Sequence, residues 1–238
     1  MKKTYLTGFT ILFLFLALIS CKKKEETDKD DLFSTVLILG NSITHHLPAP
    51  EIGWFGDWGM AASAADKDYV HILMKRFKNQ NNSVNVHFRN IADFETGYWN
   101  YDYSKLDNFR DLGPDLLILR IGENVRETDM DSYDFGVYYL GLIDYFKQKN
   151  PALKIICVSS FWDQPGIEDC ISKLSKDNHL PMVSIKELSA DITNTAFGIF
   201  SHSGVASHPS DKGMKAIADM IWDEIRRIEE EMGSSRKH

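Results

Sequence analysis

Residues 36–44 read Val-Leu-Ile-Leu-Gly-Asn-Ser-Ile-Thr, an apolar run that stops at Gly40 and reaches a serine two positions later. An unbroken apolar run is typical of a strand that is buried on both faces of a parallel sheet. Gly40 permits a tight turn of the backbone directly after that strand. The stretch therefore predicts that Ser42 lies at the carboxyl edge of an open parallel sheet, where such sheets present their ligands.

Strand-like apolar runs recur along the chain, and helical patterns separate them. The runs span residues 35–39, 84–91, 115–121, 153–159 and 181–185, and the helical patterns span 66–80, 131–149, 166–178 and about 211–232. Alternating strands and helices predict a parallel sheet that is covered on both faces. The expected fold class is therefore α/β, a flavodoxin-like three-layer α/β/α sandwich with a central parallel sheet of about five strands.

The segment 207–214, Ser-His-Pro-Ser-Asp-Lys-Gly-Met, places His208 just before the last long amphipathic helix. A serine hydroxyl that attacks a carbonyl carbon needs a nearby imidazole to take its proton. Ser42 and His208 together predict a serine hydrolase in which His208 accepts this proton and later gives one to the leaving alcohol. The alternatives are that Ser42 caps a helix and that His208 is a capping or surface residue.

Three short blocks carry a resemblance to a known family. Gly40-Asn41-Ser42-Ile43-Thr44, Gly122-Glu123-Asn124 and His208-Pro209 resemble, in this order and spacing, the nucleophile, Gly-x-Asn and histidine blocks of the SGNH (GDSL-like) hydrolases. The resemblance covers residues 34–232. It implies an ester hydrolase that forms an acyl-enzyme without a cofactor. It also implies that the side-chain amide of Asn124 and the backbone amide of Ser42 stabilise the oxyanion.

One departure from the family pattern concerns a third oxyanion donor. The family's second block is usually Asn-x-Gly-x-Ser-Gly, and its last glycine donates a backbone amide. Here residues 90–97 read Asn-Ile-Ala-Asp-Phe-Glu-Thr-Gly. Counting from Asn90 selects Glu95, whereas a slip of two residues selects Gly97. A backbone amide does not require glycine, so both residues are candidates.

A second departure concerns the acid that would orient the imidazole. The family usually places an aspartate three residues before the histidine, and here that position is Val205. We therefore expect a Ser42–His208 dyad whose ring is oriented by a backbone carbonyl near Val205 or by an acid from elsewhere. The candidate acids are Glu51, Asp57 and Glu123.

Aromatic residues are frequent in two stretches that lack a regular pattern, 45–65 and 93–104. A long ordered loop directly after the nucleophile is where a substrate wall would be built. Trp54, Trp58 and Trp99 are therefore candidate platforms for a sugar, and Glu123 is a further candidate for substrate contact. The alternative is that these rings only pack their loops onto the sheet.

These features predict an esterase that removes an acyl group, with acetyl favoured, from a carbohydrate. The alternatives are a hydrolase of lipid or aryl esters and a glycan-binding lipoprotein with a degenerate active site. No metal is expected, because the spacing of His45 and His46 with nearby acids fits no known ligand set. Cys157 and Cys170 are expected to be buried free thiols.

The amino terminus predicts export and anchoring. Lys2 and Lys3 precede an apolar run from Phe9 to Ile19, which describes a secretory signal over residues 1–20. Cys21 resembles the lipidated cysteine of a lipoprotein, and residues 21–33 are expected to form a disordered tether to a membrane. Residues 233–238 are expected to form a disordered tail. A cell-envelope location follows, and the net charge of −7 argues against nucleic acid as a partner.

Overall fold

The computed structural model describes residues 33–235, which form a single parallel sheet between two layers of helices. The predictions for residues 1–32, including lipidation of Cys21, and for residues 236–238 lie outside these described residues. Within them, the strand order is β2-β1-β3-β4-β5 and every neighbouring pair is parallel. This order is the flavodoxin-like one, so the predicted fold class is confirmed. The strands are β1 (Thr35–Gly40), β2 (Asn85–Asn90), β3 (Leu116–Arg120), β4 (Lys154–Val158) and β5 (Met182–Val183).

Four longer helices cover the sheet, and four single-turn helices lie in the connections between the described elements. The longer ones are α1 (Tyr69–Gln80), α5 (Phe135–Lys147), α6 (Pro165–Asp177) and α8 (Asp211–Ser235). The short ones are α2 (Ala92–Glu95), α3 (Asp107–Arg110), α4 (Glu127–Met130) and α7 (Ser203–Ala206). No helix among residues 33–235 is both long and apolar enough to span a membrane.

Alternating side chains of β1 divide the core into two layers. Val36 and Ile38 pack with α1 and α8 on one face, and Leu37 and Leu39 pack with α5 and α6 on the other. All four side chains are buried. The unbroken apolar run of β1 therefore follows from its position in the middle of a sheet that is covered on both sides.

Side-chain caps explain why two helices begin later than their periodic patterns predicted. The predicted helix 66–80 begins at Tyr69 because the Asp68 carboxylate accepts the backbone N–H of His71. The predicted helix 131–149 begins at Phe135, where the Asp134 carboxylate accepts the N–H of Gly136 at 2.9 Å. In each case an aspartate satisfies amides that the first helical turn leaves without partners.

Both ends of the described region extend the predicted domain slightly. Phe33, predicted as the last tether residue, is buried in the core layer that contains α1 and α8. α8 continues to Ser235, so three residues of the predicted tail 233–238 are helical. Gly233 does not end this helix, although glycine favours helix termini.

Candidate active site

Ser42 follows β1 in a tight turn at the carboxyl edge of the sheet. The amides of Thr44 and His45 both donate to the carbonyl of Asn41, at 2.9 and 3.0 Å, and this closes the turn around the serine. A Cβ atom at Gly40 would lie inside contact distance of the Thr44 hydroxyl and 2.9 Å from the carbonyl oxygen of Arg120. Glycine is therefore required at that position because of the close approach of neighbouring atoms.

His208 meets Ser42 across 166 residues of sequence. The Ser42 hydroxyl Oγ lies 2.8 Å from His208 Nε2. The other ring nitrogen, Nδ1, lies 2.6 Å from the carbonyl oxygen of Gly204 in α7. A carbonyl oxygen only accepts hydrogen bonds, so Nδ1 carries the hydrogen and Nε2 presents its lone pair to the serine. This is the tautomer that a general base for Ser42 requires.

The His208 ring is nearly enclosed. Trp162 packs against it edge-to-face, with ring centroids 5.1 Å apart, and is held by a hydrogen bond from its indole N–H to the Ser207 carbonyl at 3.0 Å. Burial lowers the pKa of His208 to about 4, although its bond to Gly204 and the charge of Glu123 act in the opposite direction. The imidazole is therefore neutral, and able to accept a proton, throughout the physiological pH range.

None of the three predicted acids contacts the His208 ring. Glu51 and Asp57 are exposed, and Asp57 is 2.8 Å from Nε2 of His45 instead. Glu123 is buried but accepts hydrogen bonds from other groups. Of the two possibilities for orienting the ring, the structure therefore contains the backbone carbonyl, and the residue that supplies it is Gly204.

A buried polar cluster, defined here as Asn41, Glu95, Arg120, Glu123 and Asn124, lies beneath the nucleophile turn. Arg120 is fully buried and donates to Glu123 and to the side-chain oxygen of Asn41. Glu123 also accepts a hydrogen bond from the side-chain amide of Asn41 at 2.6 Å, so its carboxylate is bonded inside the protein and is not available to a substrate. The prediction of Glu123 as a substrate contact is therefore corrected to a role inside the protein.

Asn124 is the only polar-cluster residue with an exposed side chain. Its amide nitrogen donates one hydrogen bond, to Glu95 Oε2 at 2.6 Å. An amide has two N–H groups, and the second has no partner among residues 33–235. That N–H remains able to donate to an oxyanion at the surface.

The two candidates for the third oxyanion donor have different environments. The amide of Gly97 donates to the carbonyl of Phe94 at 3.2 Å, so Gly97 is not an available donor. Glu95 occupies the position that counting from Asn90 selects, and its side chain is buried in the polar cluster. The internal hydrogen bond of its amide argues against Gly97, and the assignment of the third donor to Glu95 stays a prediction.

The aromatic residues chosen as sugar platforms mostly pack against the protein. Trp54 is only 2% exposed and donates its indole N–H to the His46 carbonyl, so it cannot stack on a sugar. Trp58 is half-buried and bonds to the carbonyl of Ala62 at 2.8 Å. Trp99 is half-buried as well, and one of its faces is stacked on Tyr133 at 4.6 Å. The packing alternative is correct for Trp54, whereas contact of Trp58 or Trp99 with a sugar stays a prediction.

Sequence reasoning missed Arg120 and Trp162. Arg120 had a signal, because it is a charged residue at the end of the apolar run Leu116–Leu119, and a buried charge needs nearby partners. Trp162 follows β4 at the same carboxyl edge as Ser42, and this topology was its only signal. The contact of Trp162 with His208 depends on chain folding that no local pattern encodes.

The described part of the chain contains no cluster of possible metal ligands, and its two cysteines are free thiols. Among residues 33–235 no group of three or more His, Cys, Asp or Glu side chains is arranged to hold a metal ion. His45 bonds to Asp57, whereas Nδ1 of the adjacent His46 bonds to the Leu47 carbonyl. Cys157 is a buried free thiol, as predicted, and Cys170 is also free but only half-buried.

Comparison with known proteins finds relatives by structure alone. No protein-family model matches the sequence, and no curated protein matches it significantly. A two-domain esterase active on acetylated mannans, crystallised with mannopentaose, superposes with a TM-score of 0.57 at 17% identity, over 82% of this chain and 49% of that one. The chain thus spans about half the length of that esterase.

Two further structures are matched over almost their whole length. An acetyl xylan esterase superposes with a TM-score of 0.52 at 18% identity, over 79% of this chain and 98% of its own. A Bacteroides ovatus protein described as a GDSL-like lipase superposes with a TM-score of 0.50 at 18% identity, over 82% and 98%. At these identities the likeness establishes the fold alone, which this chain shares with two esterases and with a protein described as a GDSL-like lipase.

Proposed function

We propose that the protein is a serine ester hydrolase of the SGNH (GDSL-like) type that removes acetyl groups from a carbohydrate. The observation that carries the proposal is the pair of contacts on His208. Ser42 Oγ lies 2.8 Å from Nε2, and Nδ1 is fixed by the Gly204 carbonyl at 2.6 Å. This geometry supplies both a nucleophile and an oriented base without an acidic side chain on the ring.

The proposed reaction has two halves. Ser42 Oγ forms a bond to the acyl carbon while His208 Nε2 takes the hydroxyl proton, and collapse of the tetrahedral intermediate breaks the bond to the alcohol, which receives that proton. Water then attacks the acyl carbon while His208 takes its proton, and collapse breaks the bond to Ser42 Oγ, which receives that proton as the carboxylic acid leaves. The second N–H of Asn124 and the backbone amide of Ser42 stabilise the oxyanion in both halves.

The choice of substrate is supported by the fold neighbours. One of them is active on acetylated mannans and another is named as an acetyl xylan esterase. Trp58 and Trp99, each half-buried, are the remaining aromatic candidates for a sugar contact. Export, lipidation at Cys21 and location in the cell envelope complete the proposal, and they rest on the sequence of residues 1–21.

A fluorophosphonate probe, which labels activated serines, tests the enzymatic proposal. We expect labelling of the wild-type protein, loss of labelling in Ser42→Ala, and full labelling of Ser132→Ala, which alters an exposed serine. Absence of labelling in the wild type would overturn the proposal and favour the glycan-binding alternative. Labelling that persists in Ser42→Ala would assign the reactive hydroxyl to another residue.

Substrate class is tested by comparing acetate release from acetylated mannan and xylan with hydrolysis of p-nitrophenyl esters of increasing chain length. A preference for acetylated polysaccharide supports a carbohydrate esterase. Faster hydrolysis of long-chain esters would instead assign the protein to the lipid ester hydrolases, and faster hydrolysis of aryl acetates alone would indicate a general esterase.

A further inference from the structure

Glu95 is a buried carboxylate that the proposed reaction does not use directly. It ends α2 and is 1% exposed. Its Oε1 accepts the side-chain amide of Asn41 at 3.1 Å and the backbone amide of Gly122. Its Oε2 accepts the side-chain amide of Asn124 at 2.6 Å. One carboxylate therefore joins the residue before the nucleophile to the residue that supplies the oxyanion donor.

All of these partners are hydrogen-bond donors. Both carboxylate oxygens are engaged by N–H groups, and in the orientation present the side-chain amides of Asn41 and Asn124 turn their nitrogens, not their oxygens, toward the carboxylate. The hydrogen-bond pattern is therefore satisfied by the ionised form of Glu95. Protonation would set an O–H group against an N–H donor in place of one accepting oxygen, and would weaken the contact to Asn41 or Asn124 as it is oriented here.

Glu95 does not act as the acid of a catalytic triad. The nitrogen that such an acid would bind, His208 Nδ1, is already bonded to Gly204. The contacts of Glu95 lead instead to Asn124, an exposed residue whose second N–H has no partner among residues 33–235. Without Glu95, the Asn124 amide would lose its only side-chain anchor among residues 33–235 and would rotate freely.

We propose that Glu95 is a positioning residue that locks the Asn124 amide relative to Ser42 and so pre-organises the oxyanion site. This inference rests on the proposed function for its catalytic consequence, but the lock itself is a structural property. An oxyanion donor is effective only when it is held where charge develops, because reorientation during the reaction costs free energy.

The contact between Glu95 and Asn124 is expected to depend on pH. Burial, and then the charge of Glu123, raise the pKa of Glu95 to about 7, although the hydrogen bonds from Asn124 and Gly122 and the charge of Arg120 lower it. Glu123 and Arg120 are the charged groups that act on Glu95 from the neighbouring β3 edge. Glu95 therefore gains a proton as the pH falls through 7, and the lock is released in the same range.

Kinetics of Glu95→Gln test the catalytic part. The substitution keeps the shape but turns one acceptor into a donor, so we expect kcat to fall by roughly 10²-fold with KM changed less than about twofold. The control Glu187→Gln, an exposed glutamate, is expected to match the wild type. In an Asn124→Ala background, Glu95→Gln should lower kcat by less than about twofold more, because both changes remove the same interaction. Fully additive losses, or an unchanged kcat in Glu95→Gln, would overturn the positioning role.

Nuclear magnetic resonance tests the lock without relying on activity. The side-chain amide signal of Asn124, assigned by its loss in Asn124→Ser, is expected to shift between pH 5 and 9 with a midpoint of about 7. The shift should be absent in Glu95→Gln and present in Glu187→Gln. If the Asn124 signal titrates but the protein hydrolyses no ester, the contact between Glu95 and Asn124 is supported and the proposed function is overturned. A signal that does not respond to pH or to Glu95→Gln would overturn the lock, whatever the activity.

Discussion

His208 Nδ1 lies 2.6 Å from the carbonyl oxygen of Gly204, so a backbone dipole occupies the place that an aspartate takes in a catalytic triad. A carbonyl fixes the tautomer as well as a carboxylate does. It carries no full negative charge, however, and stabilises the imidazolium less. The expected result is a base that is correctly oriented but comparatively weak.

The acid limb that protonation of His208 contributes to kcat/KM is expected at a lower pH than that of an ordinary histidine, and below the range in which Glu95 gains its proton. His208 acts as a base only when neutral, and burial lowers its pKa to about 4, so the neutral form persists well below pH 6.5. A pH–rate profile of Glu95→Gln, which lacks the titrating carboxylate, isolates this limb. Trp162→Ala in the same background exposes the ring and should move the limb upward. A limb near pH 6.5 without that change would contradict the prediction.

Asn124→Ala is expected to lower kcat by about 10²–10³-fold with little change in KM, because an oxyanion donor acts mainly in the transition state. Asn124→Asp should be at least as damaging, since it places a carboxylate oxygen where the Asn124 amide nitrogen now lies, 2.6 Å from Glu95 Oε2. Steady-state kinetics with a p-nitrophenyl ester measure both. Asn79→Ala, on the exposed face of α1, is the control. An increase in KM alone would reassign Asn124 to substrate binding.

Gly40→Ala and Gly97→Ala form a matched pair with opposite expected outcomes. A methyl group at Gly40 collides with Thr44 and approaches the Arg120 carbonyl to 2.9 Å, so we expect a loss of about 1–3 kcal/mol of unfolding free energy and a lower kcat. At Gly97 the nearest atom to such a methyl group is 3.7 Å away, and both quantities should stay near wild type. Urea unfolding and kinetics compare the two. Lost activity in a stable Gly97→Ala protein would mean that the surface at Gly97 contacts the substrate, because alanine keeps the backbone amide.

Trp54→Ala is expected to destabilise the protein and to leave sugar recognition intact. Trp54 is buried and packs edge-on to Trp58, with ring centroids 5.7 Å apart, and against Phe200 at 6.1 Å. Removal of such a ring typically costs about 3–5 kcal/mol, and Trp54→Phe should cost less. Thermal unfolding measures the loss, and KM for acetylated polysaccharide is compared at a temperature where both variants are folded. A raised KM at unchanged stability would mean that Trp54 contacts the substrate.

The sequence predicted the sheet well because its strands carry the strongest local signal. The run at 36–39 is apolar at every position since β1 is covered on both faces, and Gly40 marks its end. The meeting of Ser42 with His208 was predictable for a related reason, since parallel strands and the loops that follow them share one edge. Helix starts were predicted less accurately, because capping by Asp68 or Asp134 depends on a side-chain rotamer that periodicity does not contain.

The rest of the site was not predictable because it depends on contacts between distant segments. Glu95 was selected for its backbone amide, yet its side chain reaches Asn41 and Asn124, 54 and 29 residues away. Trp54 lies in a loop without periodicity, so its burial could not be read from its neighbours. The charge of Arg120 at the end of an apolar run was a local signal, but its partner Asn41 lies 79 residues away.

Introducing an aspartate at position 205, where the SGNH resemblance would place the acid, is expected to fail. The side chain of Val205 is fully buried and packs with an apolar cluster: Ala49, Trp54, Met60, Ala61 and Ala196. A carboxylate there would be desolvated among these groups, while His208 Nδ1 would keep its bond to the carbonyl of Gly204. We therefore expect Val205→Asp to lose about 3 kcal/mol or more of unfolding free energy without a gain in kcat.

Val205→Ala and Val205→Asn separate the two causes of that loss. The alanine variant creates a cavity without a polar group, and the asparagine variant buries a polar group without a charge, so stability should fall in the order alanine, asparagine, aspartate. Urea unfolding at pH 8, where the carboxyl is ionised, tests this order. A Val205→Asp protein with wild-type stability and a raised kcat would show that the ring can exchange its carbonyl partner for an acid. An acid could then replace the Gly204 carbonyl in orienting the ring. The buried contacts of Val205 predict the opposite, that this site accommodates the carbonyl and not a carboxylate.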